Sequence, residues 1–289
     1  MTENVFEIRD IECAYANNGK TVLTIGNLDI PKGKITTILG KSGSGKSTFL
    51  ETLGMMNHTI KKGSIRFSSL DTAETIDRDF WGNPNSLSAI RNKHFSFIFQ
   101  DDFLMPYYTP WENMLIGKLI QNASFSTLEQ NTPKNIKDLE LICAKLGLDI
   151  NLLKTQMPYE MSGGQKQRLS FSRAISKEYS VIFGDEPTGN LDEDSSAALM
   201  AVLKISVQEK PNRSAILVSH NIDLSIENSD RIIVLSPGIE SAFQVLPINV
   251  FDKTASGWIN GGNSSFNEKD LASFIKSIIR FKPSELIDK

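Results

Sequence analysis

The sequence predicts an α/β fold with a parallel core sheet, and two observations support this. A β-branched run at residues 34–39 leads through a glycine-rich loop into a helical pattern at residues 46–53. Three later runs, at residues 180–183, 214–219 and 231–235, are apolar without alternation. Such runs are typical of parallel strands that are covered on both faces.

Composition narrows the class of protein. The chain has 289 residues, 40% of them hydrophobic, which is enough for one large domain or a domain with a small lobe. A net charge of −3 disfavours a nucleic-acid-binding protein. Cys13 and Cys143 lie far apart without metal-ligand spacing, so we expect two reduced thiols. We see no secretory signal or membrane-spanning run, and we expect a soluble or peripheral protein.

The N-terminal segment is predicted to be antiparallel. Residues 5–9 alternate between apolar and polar, as in a half-buried strand. Asn17-Asn18-Gly19 is a turn signal, and a second strand follows at residues 21–25. Pro31-Lys32-Gly33 forms another turn before the strand at residues 34–39.

The middle of the chain is predicted to be mostly helical. A strand at residues 94–99 ends at Gln100, and Thr109-Pro110 supplies an N-cap and an N1 proline for a first helix. Thr132-Pro133 opens a second helix, which Gly147 ends. After residue 164 strands and helices alternate again, with a helix at residues 195–207.

The C-terminal part changes character. Residues 258–267 are rich in Gly, Asn and Ser and predict a linker or loop, whereas residues 271–281 form an amphipathic helical pattern. We therefore predict a main domain over residues 1–236, with a helical subdomain at about residues 103–175. Residues 237–289 would form an extension of a strand, a polar loop and a helix.

A phosphate-binding loop is the strongest local motif. Residues 40–47 fit G-x-x-x-x-G-K-[ST] at every fixed position and lie between a predicted strand and a predicted helix. Glycines let backbone N–H groups point at phosphate oxygens, Lys46 would reach the β- and γ-phosphates, and Ser47 could ligate Mg²⁺. The alternative is a flexible loop without a ligand, which this context disfavours. The expected nucleotide contacts are Gly40, Lys41, Ser42, Gly43, Ser44, Gly45, Lys46, Ser47 and Thr48.

Two adjacent carboxylates end the apolar run that starts at Val181. Buried strands rarely end in paired acids unless the charges have a task. Asp185 would hold Mg²⁺ through water, and Glu186 would polarise the water that attacks the γ-phosphate. A solvated strand end before the turn at Pro187 is the alternative.

A second glycine loop, Ser162-Gly163-Gly164-Gln165, precedes another helical pattern. One chain has a single Lys46 and a single acidic pair, so this loop has no nucleotide of its own to serve. A dimer in which each chain lends these four residues to the other chain's ATP would resolve this. The alternative is a serine N-cap followed by a flexible glycine pair.

Together these motifs resemble the ABC ATPase family over about residues 3–236. Met161 to Gln165 match the signature motif, with Met161 in place of leucine, and Asn190-Leu191-Asp192 match the dimer-contacting D-loop. The resemblance implies that Tyr15 stacks on adenine and that Gln100 links Mg²⁺ and water to the membrane partner. It also implies that His220 holds the γ-phosphate and Glu186.

The implied fold is a P-loop NTPase of the ABC ATPase cassette type. It has a mixed, mainly parallel core sheet, an antiparallel β subdomain and a helical subdomain. The segments at residues 186–192 and 94–100 are similar to those of lipoprotein-releasing, macrolide-exporter and FtsE-like ATPases. This subgroup implies an ATPase that uses ATP and Mg²⁺, pairs with a second cassette, and drives a transmembrane permease from the cytoplasmic face. Residues 101–108, rich in apolar side chains, would form the groove that binds a coupling helix of the permease, and core packing of the helical subdomain is the alternative.

The sequence disfavours two other classes of protein. A soluble ABC ATPase that acts on nucleic acid or the ribosome would carry long inserts or two cassettes, and this chain has neither, so no nucleic-acid partner is expected. A binding module with an inactive ATPase site is disfavoured because the expected catalytic residues are intact, namely Lys46, Asp185, Glu186 and His220.

Overall fold

A computed structural model describes residues 3–15, 19–122, 137–210, 212–238 and 242–280. The chain divides into two compact units, the first made of residues 1–89 and 214–289 and the second of residues 90–213. It passes from the first unit to the second within helix α3, Pro84–His94.

The first unit contains a six-stranded sheet in the order β10-β11-β2-β1-β4-β5. Its strands are β1 (Asn4–Ala14), β2 (Thr21–Pro31), β4 (Ile60–Ser68), β5 (Ala73–Ile76), β10 (Ser236–Pro237) and β11 (Phe243–Val245). The register of β1 against β4 shifts after Arg9, where Asp10 has φ 49°. Opposite this bulge, a Cβ on Gly63 (φ 84°) would lie 2.3 Å from the Asp10 carbonyl oxygen, so the position requires glycine.

A second set of strands in the first unit has the order β14-β13-β12-β9-β3-β8. These strands are β3 (Ile35–Leu39), β8 (Ser214–Val218), β9 (Arg231–Val234), β12 (Val250–Thr254), β13 (Gly257–Asn260) and β14 (Ser265–Phe266). Strand β3 is parallel to both β8 and β9, and all five of its residues are buried. The parallel core strands predicted from their apolar runs are confirmed.

The helices of the first unit include α1 (Lys46–Leu53), α2 (Arg78–Trp81), α9 (Ile222–Asn228) and α10 (Glu268–Arg280). Helix α1 has the predicted bounds. The start predicted for the second helix of the middle segment, Thr132-Pro133, lies outside the described residues, as do Asn17 and Asn18. The segment at residues 60–94, to which the sequence assigned no element before the strand at residues 94–99, forms β4, β5, α2 and α3.

The second unit contains a parallel pair of strands, β6 (Phe95–Ile98) and β7 (Val181–Asp185). Its helices are α4 (Pro110–Asn122), α5 (residues 137–145), α6 (Ile150–Thr155), α7 (Gly163–Ser176) and α8 (Glu193–Gln208). Gly147, at φ 63°, follows α5 as the predicted C-terminal glycine. Within the described ranges, every helix is too short or too polar to cross a bilayer.

The prediction of a linker or loop at residues 258–267 is wrong. Residues 257–266 form the antiparallel pair β13–β14. Trp258 in this hairpin is buried in one cluster with Phe251 and Leu271. Phe274 of α10 packs on Phe251, with ring centroids 6.0 Å apart. The aromatic side chains within the Gly- and Asn-rich stretch therefore anchor it to the core. The domain boundaries expected at residues 103, 175 and 236 stay predictions.

Candidate active site

The phosphate loop joins β3 to α1 in the first unit. Gly43 and Gly45 have φ 74° and 84°, a left-handed conformation that favours glycine. Gly45 is the N-cap of α1, and it has no side chain that could accept from the helix's first N–H groups. These N–H groups and the positive end of the helix dipole form an arrangement that suits an anion such as phosphate.

Lys46 supplies the positive charge of this loop. Its ammonium donates to the carbonyl oxygens of Gly40 (3.1 Å) and Lys41 (3.2 Å) and is buried, whereas Ser47 is exposed. A Cβ on Gly40 would lie 2.6 Å from Ser44 Oγ and 3.2 Å from Leu235 Cβ, so the loop is tightly packed at this position. An ammonium held by two loop carbonyls beside a helix N-terminus fits the recognition of a polyphosphate.

Tyr15 follows β1 and contacts α1. Its hydroxyl lies 2.8 Å from Thr48 Oγ1, and the side chain is 42% exposed. The Thr48 carbonyl accepts hydrogen bonds from Thr52 Oγ1 (2.6 Å) and Asn57 Nδ2 (3.2 Å). The structure thus joins Tyr15 to the phosphate-loop helix and leaves its ring partly open to a ligand.

His220 lies at the same sheet edge of the first unit as the phosphate loop. Strand β8 ends two residues before His220, and its Val218 pairs in parallel with Ile38 of β3. The carboxyl ends of parallel strands meet at one edge, where α/β proteins bind ligands. His220 is exposed and is followed by Asn221, whose side chain caps α9 by accepting from Leu224 N–H (3.0 Å).

The acidic pair and Gln100 share a sheet edge in the second unit. Ile98 of β6 pairs in parallel with Gly184 of β7. Asp185, the last residue of β7, and Gln100, two residues after β6, therefore lie at the same end of neighbouring strands. Gln100 is exposed and the two carboxylates are half-buried. Glu186 has φ 49°, a conformation rare for residues other than glycine.

The second glycine loop starts α7. Ser162 Oγ accepts from Gln165 N–H (3.3 Å), and Ser162 N–H donates to Gln165 Oε1 (2.8 Å). These two bonds form a capping box, as expected from the interpretation of Ser162 as a helix N-cap. Ser162 and Gly163 are nevertheless exposed, and Gly163 has open space where a Cβ would be. The helix start is therefore accessible to a partner.

Asp192 is the N-cap of α8. Its carboxylate accepts from Ser195 N–H (2.8 Å) and Ser195 Oγ (2.9 Å). These hydrogen bonds, the backbone bond first, lower the pKa of the fully exposed Asp192. The 190–192 segment thus ends in the side chain that caps the first turn of α8.

Comparison with known proteins decides the family. Residues 23–189, more than half of the chain, match the ABC transporter family. This chain belongs to the ABC transporter family.

The relatives of this chain belong to the predicted subgroup. The chain is 33% identical over 240 residues to the macrolide export ATP-binding/permease protein MacB of Pasteurella multocida, and the match covers 82% of this chain and 34% of that protein. It is 32% identical over 219 residues to the lipoprotein-releasing system ATP-binding protein LolD of Alcanivorax borkumensis, covering 75% of this chain and 88% of that protein. The chain therefore spans about a third of the length of the MacB relatives.

Solved structures confirm the cassette fold. The dimeric bacterial ABC transporter cassette MJ0796 matches with a TM-score of 0.65 and 24% identity, over 79% of this chain and 93% of that one. The protein cbiO1 of Clostridium perfringens, part of an ABC transporter complex, matches with a TM-score of 0.67 and 20% identity over 100% of both chains. The predicted P-loop NTPase and ABC cassette architecture is thus confirmed. The match to the ABC transporter family disfavours the soluble alternative.

Within this cassette, the structure groups the predicted residues in two sets. The first unit brings together Tyr15, the phosphate loop and His220, and the second brings together Gln100, Asp185 and Glu186. The sequence motifs missed one buried polar residue near the second set, Gln167 of α7. Its signal was a glutamine in helical register with the buried residues Phe171, Ala174 and Ile175.

Proposed function

We propose that this chain is the ATP-binding and ATP-hydrolysing subunit that drives the permease of an ABC transporter. The observation that carries the proposal is the phosphate loop, in which the Lys46 ammonium lies among backbone carbonyls directly before the uncapped start of α1. Few local structures other than a polyphosphate site have this combination of a helix N-terminus, left-handed glycines and an enclosed lysine.

In this proposal the first unit binds the nucleotide. The N–H groups around Gly43 and Gly45 and the Lys46 ammonium hold the β- and γ-phosphates. Tyr15, with its ring partly exposed, stacks on adenine. His220 contacts the γ-phosphate from the neighbouring strand end and stabilises charge that develops during hydrolysis.

The second unit supplies the hydrolytic groups. Glu186 accepts a proton from the attacking water and orients it in line with the bond that breaks. Glu186 directly follows the last residue of β7 and is half-buried, so its carboxylate lies at the end of a buried strand. Their assignment to the same nucleotide rests on the motif set of the family.

The oxygen donors of Ser47, Gln100 and Asp185 fit Mg²⁺, which prefers hydroxyl, amide and carboxylate oxygens. Ser47 and Gln100 are exposed, and Asp185 ends a buried strand. When bound, Mg²⁺ neutralises charge on the phosphate oxygens.

Two copies, or two related cassettes, are proposed to enclose the nucleotide. The exposed start of α7, Ser162 to Gln165, would approach the γ-phosphate bound by the partner chain. Asp192, ordered as the cap of α8, would lie at the contact between cassettes. The dimeric state of the MJ0796 cassette supports this assembly.

A loop after Gln100 is proposed as the surface that docks the permease at the inner face of the membrane. Four large side chains of this loop are exposed, those of Phe103, Met105, Tyr107 and Tyr108, and Tyr107 is 89% exposed. The buried side chain of Asn113 holds the backbone of this loop by bonds to Met105 N–H (2.8 Å) and the Met105 (3.1 Å) and Tyr108 (3.0 Å) carbonyls. A rigid apolar loop binds a partner helix with little loss of entropy. MacB and LolD as relatives favour an export or lipoprotein-release type of permease.

The test compares phosphate release by the wild-type chain and by E186Q, with ATP and Mg²⁺. We expect E186Q to bind ATP but to lose about 10²- to 10⁴-fold in kcat, the usual contribution of a general base. E209Q, the same change at the exposed end of α8, serves as the matched control and should keep the wild-type rate. A wild-type chain that releases no phosphate, or an E186Q variant at full rate, would refute the proposal.

A further inference from the structure

Gln167 connects the helix of the signature motif to the loop that follows β7. The side chain is 2% exposed and lies in the second turn of α7. Its amide Nε2 donates to the carbonyl oxygens of Pro187 (2.8 Å) and Glu186 (3.4 Å), and its Oε1 accepts from Asn190 N–H (3.2 Å). One buried side chain thus bonds to both ends of the 186–190 segment.

The backbone of that segment needs such support. Glu186 has φ 49°, and a residue with a Cβ keeps this left-handed conformation only where its surroundings impose it. The turn is closed by Gly189 N–H, which donates to the Glu186 carbonyl oxygen (3.0 Å). A Cβ on Gly189 would lie 3.4 Å from that same oxygen, so the turn is tightly packed. The conformation of Glu186 therefore depends on bonds made by its neighbours.

We propose that Gln167 is a positioning residue for hydrolysis, which sets the backbone of Glu186 and with it the direction of the Glu186 carboxylate. The inference rests on the role proposed above for Glu186. Gln167 does not touch the nucleotide in this account. Its amide Nε2 donates to the carbonyls of two consecutive residues, Glu186 and Pro187, and its Oε1 accepts from the first residue of the 190–192 segment.

The same helix start lies close to the 190–192 segment. A Cβ added at Gly164 would lie 3.6 Å from Leu191 Cδ2, so little more than one side-chain carbon would fit between them. In this proposal a shift of the start of α7 reaches both Glu186 and Asn190 through the side chain of Gln167. In a dimer whose partner nucleotide engages Ser162 to Gln165, Gln167 would couple that event to the base of its own chain.

The experiment measures kcat and KM for ATP in Q167M, which keeps the length of the side chain and removes its amide. We expect kcat to fall by about 10- to 100-fold, as for a misplaced catalytic group, while KM and the thermal stabilisation by ATP stay within about twofold of wild type. S172A is the matched control. Its buried hydroxyl donates to the Arg168 carbonyl of its own helix (2.9 Å), so its loss should leave kcat unchanged.

A second variant, Q167E, keeps an acceptor for Asn190 N–H but places an oxygen against the two carbonyls. It should also lower kcat without raising KM. Wild-type kcat in both variants, with a wild-type chain that hydrolyses ATP, would overturn the role of Gln167 and leave the proposed function standing. Loss of folding or of ATP binding in either variant would assign Gln167 to the fold and overturn the inference as well. A wild-type chain without hydrolysis would instead refute the proposed function.

Discussion

The hydroxyl of Tyr15 lies 2.8 Å from the hydroxyl of Thr48 and so ties the end of β1 to the first turn of the phosphate-loop helix. A second route joins the same elements, because Ala14 N–H donates to the Thr59 carbonyl (2.8 Å) and Thr59 Oγ1 lies 3.0 Å from Thr52 Oγ1. Thr52 in turn donates to the Thr48 carbonyl. The side chain proposed to hold adenine is thus part of one hydrogen-bonded assembly with the residues proposed to hold phosphate.

We predict that Y15A weakens ATP binding by about 1–3 kcal/mol, the usual loss when a base loses an aromatic stacking partner. Y15F keeps the ring and loses the bond to Thr48, so it should weaken binding by no more than about 1.5 kcal/mol, the net value of a hydrogen bond. Equilibrium titration with ATP measures both. If Y15A binds as tightly as wild type, adenine does not stack on Tyr15.

The enclosed lysine gives a second prediction. K46A should lower kcat/KM for ATP by about 100-fold or more, because it removes the charge that stabilises the phosphates. K62A is the matched control, since Lys62 lies on β4 with its side chain 67% exposed and pairs only loosely with Glu12 at 3.6 Å. Such surface pairs contribute little, so K62A should stay within about twofold of wild type. Steady-state phosphate release distinguishes the two, and equal rates would contradict the assignment of Lys46.

A third prediction concerns the packing of the C-terminal helix. Leu271 of α10 is fully buried in the cluster that contains Trp258 and Phe251. L271A should therefore reduce the free energy of unfolding by about 2–5 kcal/mol, as buried leucine truncations do. K276A on the same helix changes an exposed residue and should stay within about 0.5 kcal/mol. Denaturant titration measures the free energy of unfolding of both variants. An L271A variant as stable as K276A would show that α10 does not pack as described.

The cysteines give a fourth prediction. Burial, and secondarily Glu140, raises the pKa of Cys143 to about 11, and burial also raises the pKa of Cys13. The thiolate is the reactive form, and at pH 8 a thiol with such a pKa is about a thousandth ionised. Both thiols should resist alkylation in the native protein and react once it is unfolded. Mass spectrometry measures the labelling of each cysteine. Rapid labelling in the native chain would contradict this prediction.

The same pKa shift affects stability at high pH. The raised folded-state pKa means that the folded chain holds its proton more tightly than the unfolded chain does. The stabilising contribution of the protonated Cys143 thiol is complete below pH 9.0, the ordinary pKa of a thiol. It is lost as the pH rises towards about 11. We expect the stability advantage of wild type over C143A to shrink across that interval in denaturant titrations. A constant difference would show that Cys143 ionises equally in both states.

The elements that the sequence predicted well are those whose causes are local. Helix α1 begins at Lys46 and ends at Leu53 as expected, because the glycine pattern before it determines both the left-handed dihedrals and the helix start. The parallel strands β3, β8 and β9 were readable from uninterrupted apolar runs. The serine N-cap considered at Ser162 is also local, because its hydroxyl accepts from the N–H of Gln165, three residues along the chain.

The features that escaped prediction depend on contacts between distant segments. The bulge of β1 at Asp10 exists because Gly63, on another strand, permits the carbonyls to approach. The hairpin that contains Trp258 looked like a loop by composition, and only its burial against Phe251 and Leu271 orders it. Polar composition misled because a few aromatic side chains outweighed it.

By itself the sequence determined the family, the phosphate loop and which runs form parallel core strands, since each follows from residues that are neighbours in the chain. The tertiary structure decided which polar groups meet: Tyr15 with Thr48, and Gln167 with the loop that carries Glu186. A side-chain hydrogen bond needs its partner within about 3.5 Å and in the right direction. That condition depends on how strands and helices pack, which no local pattern specifies.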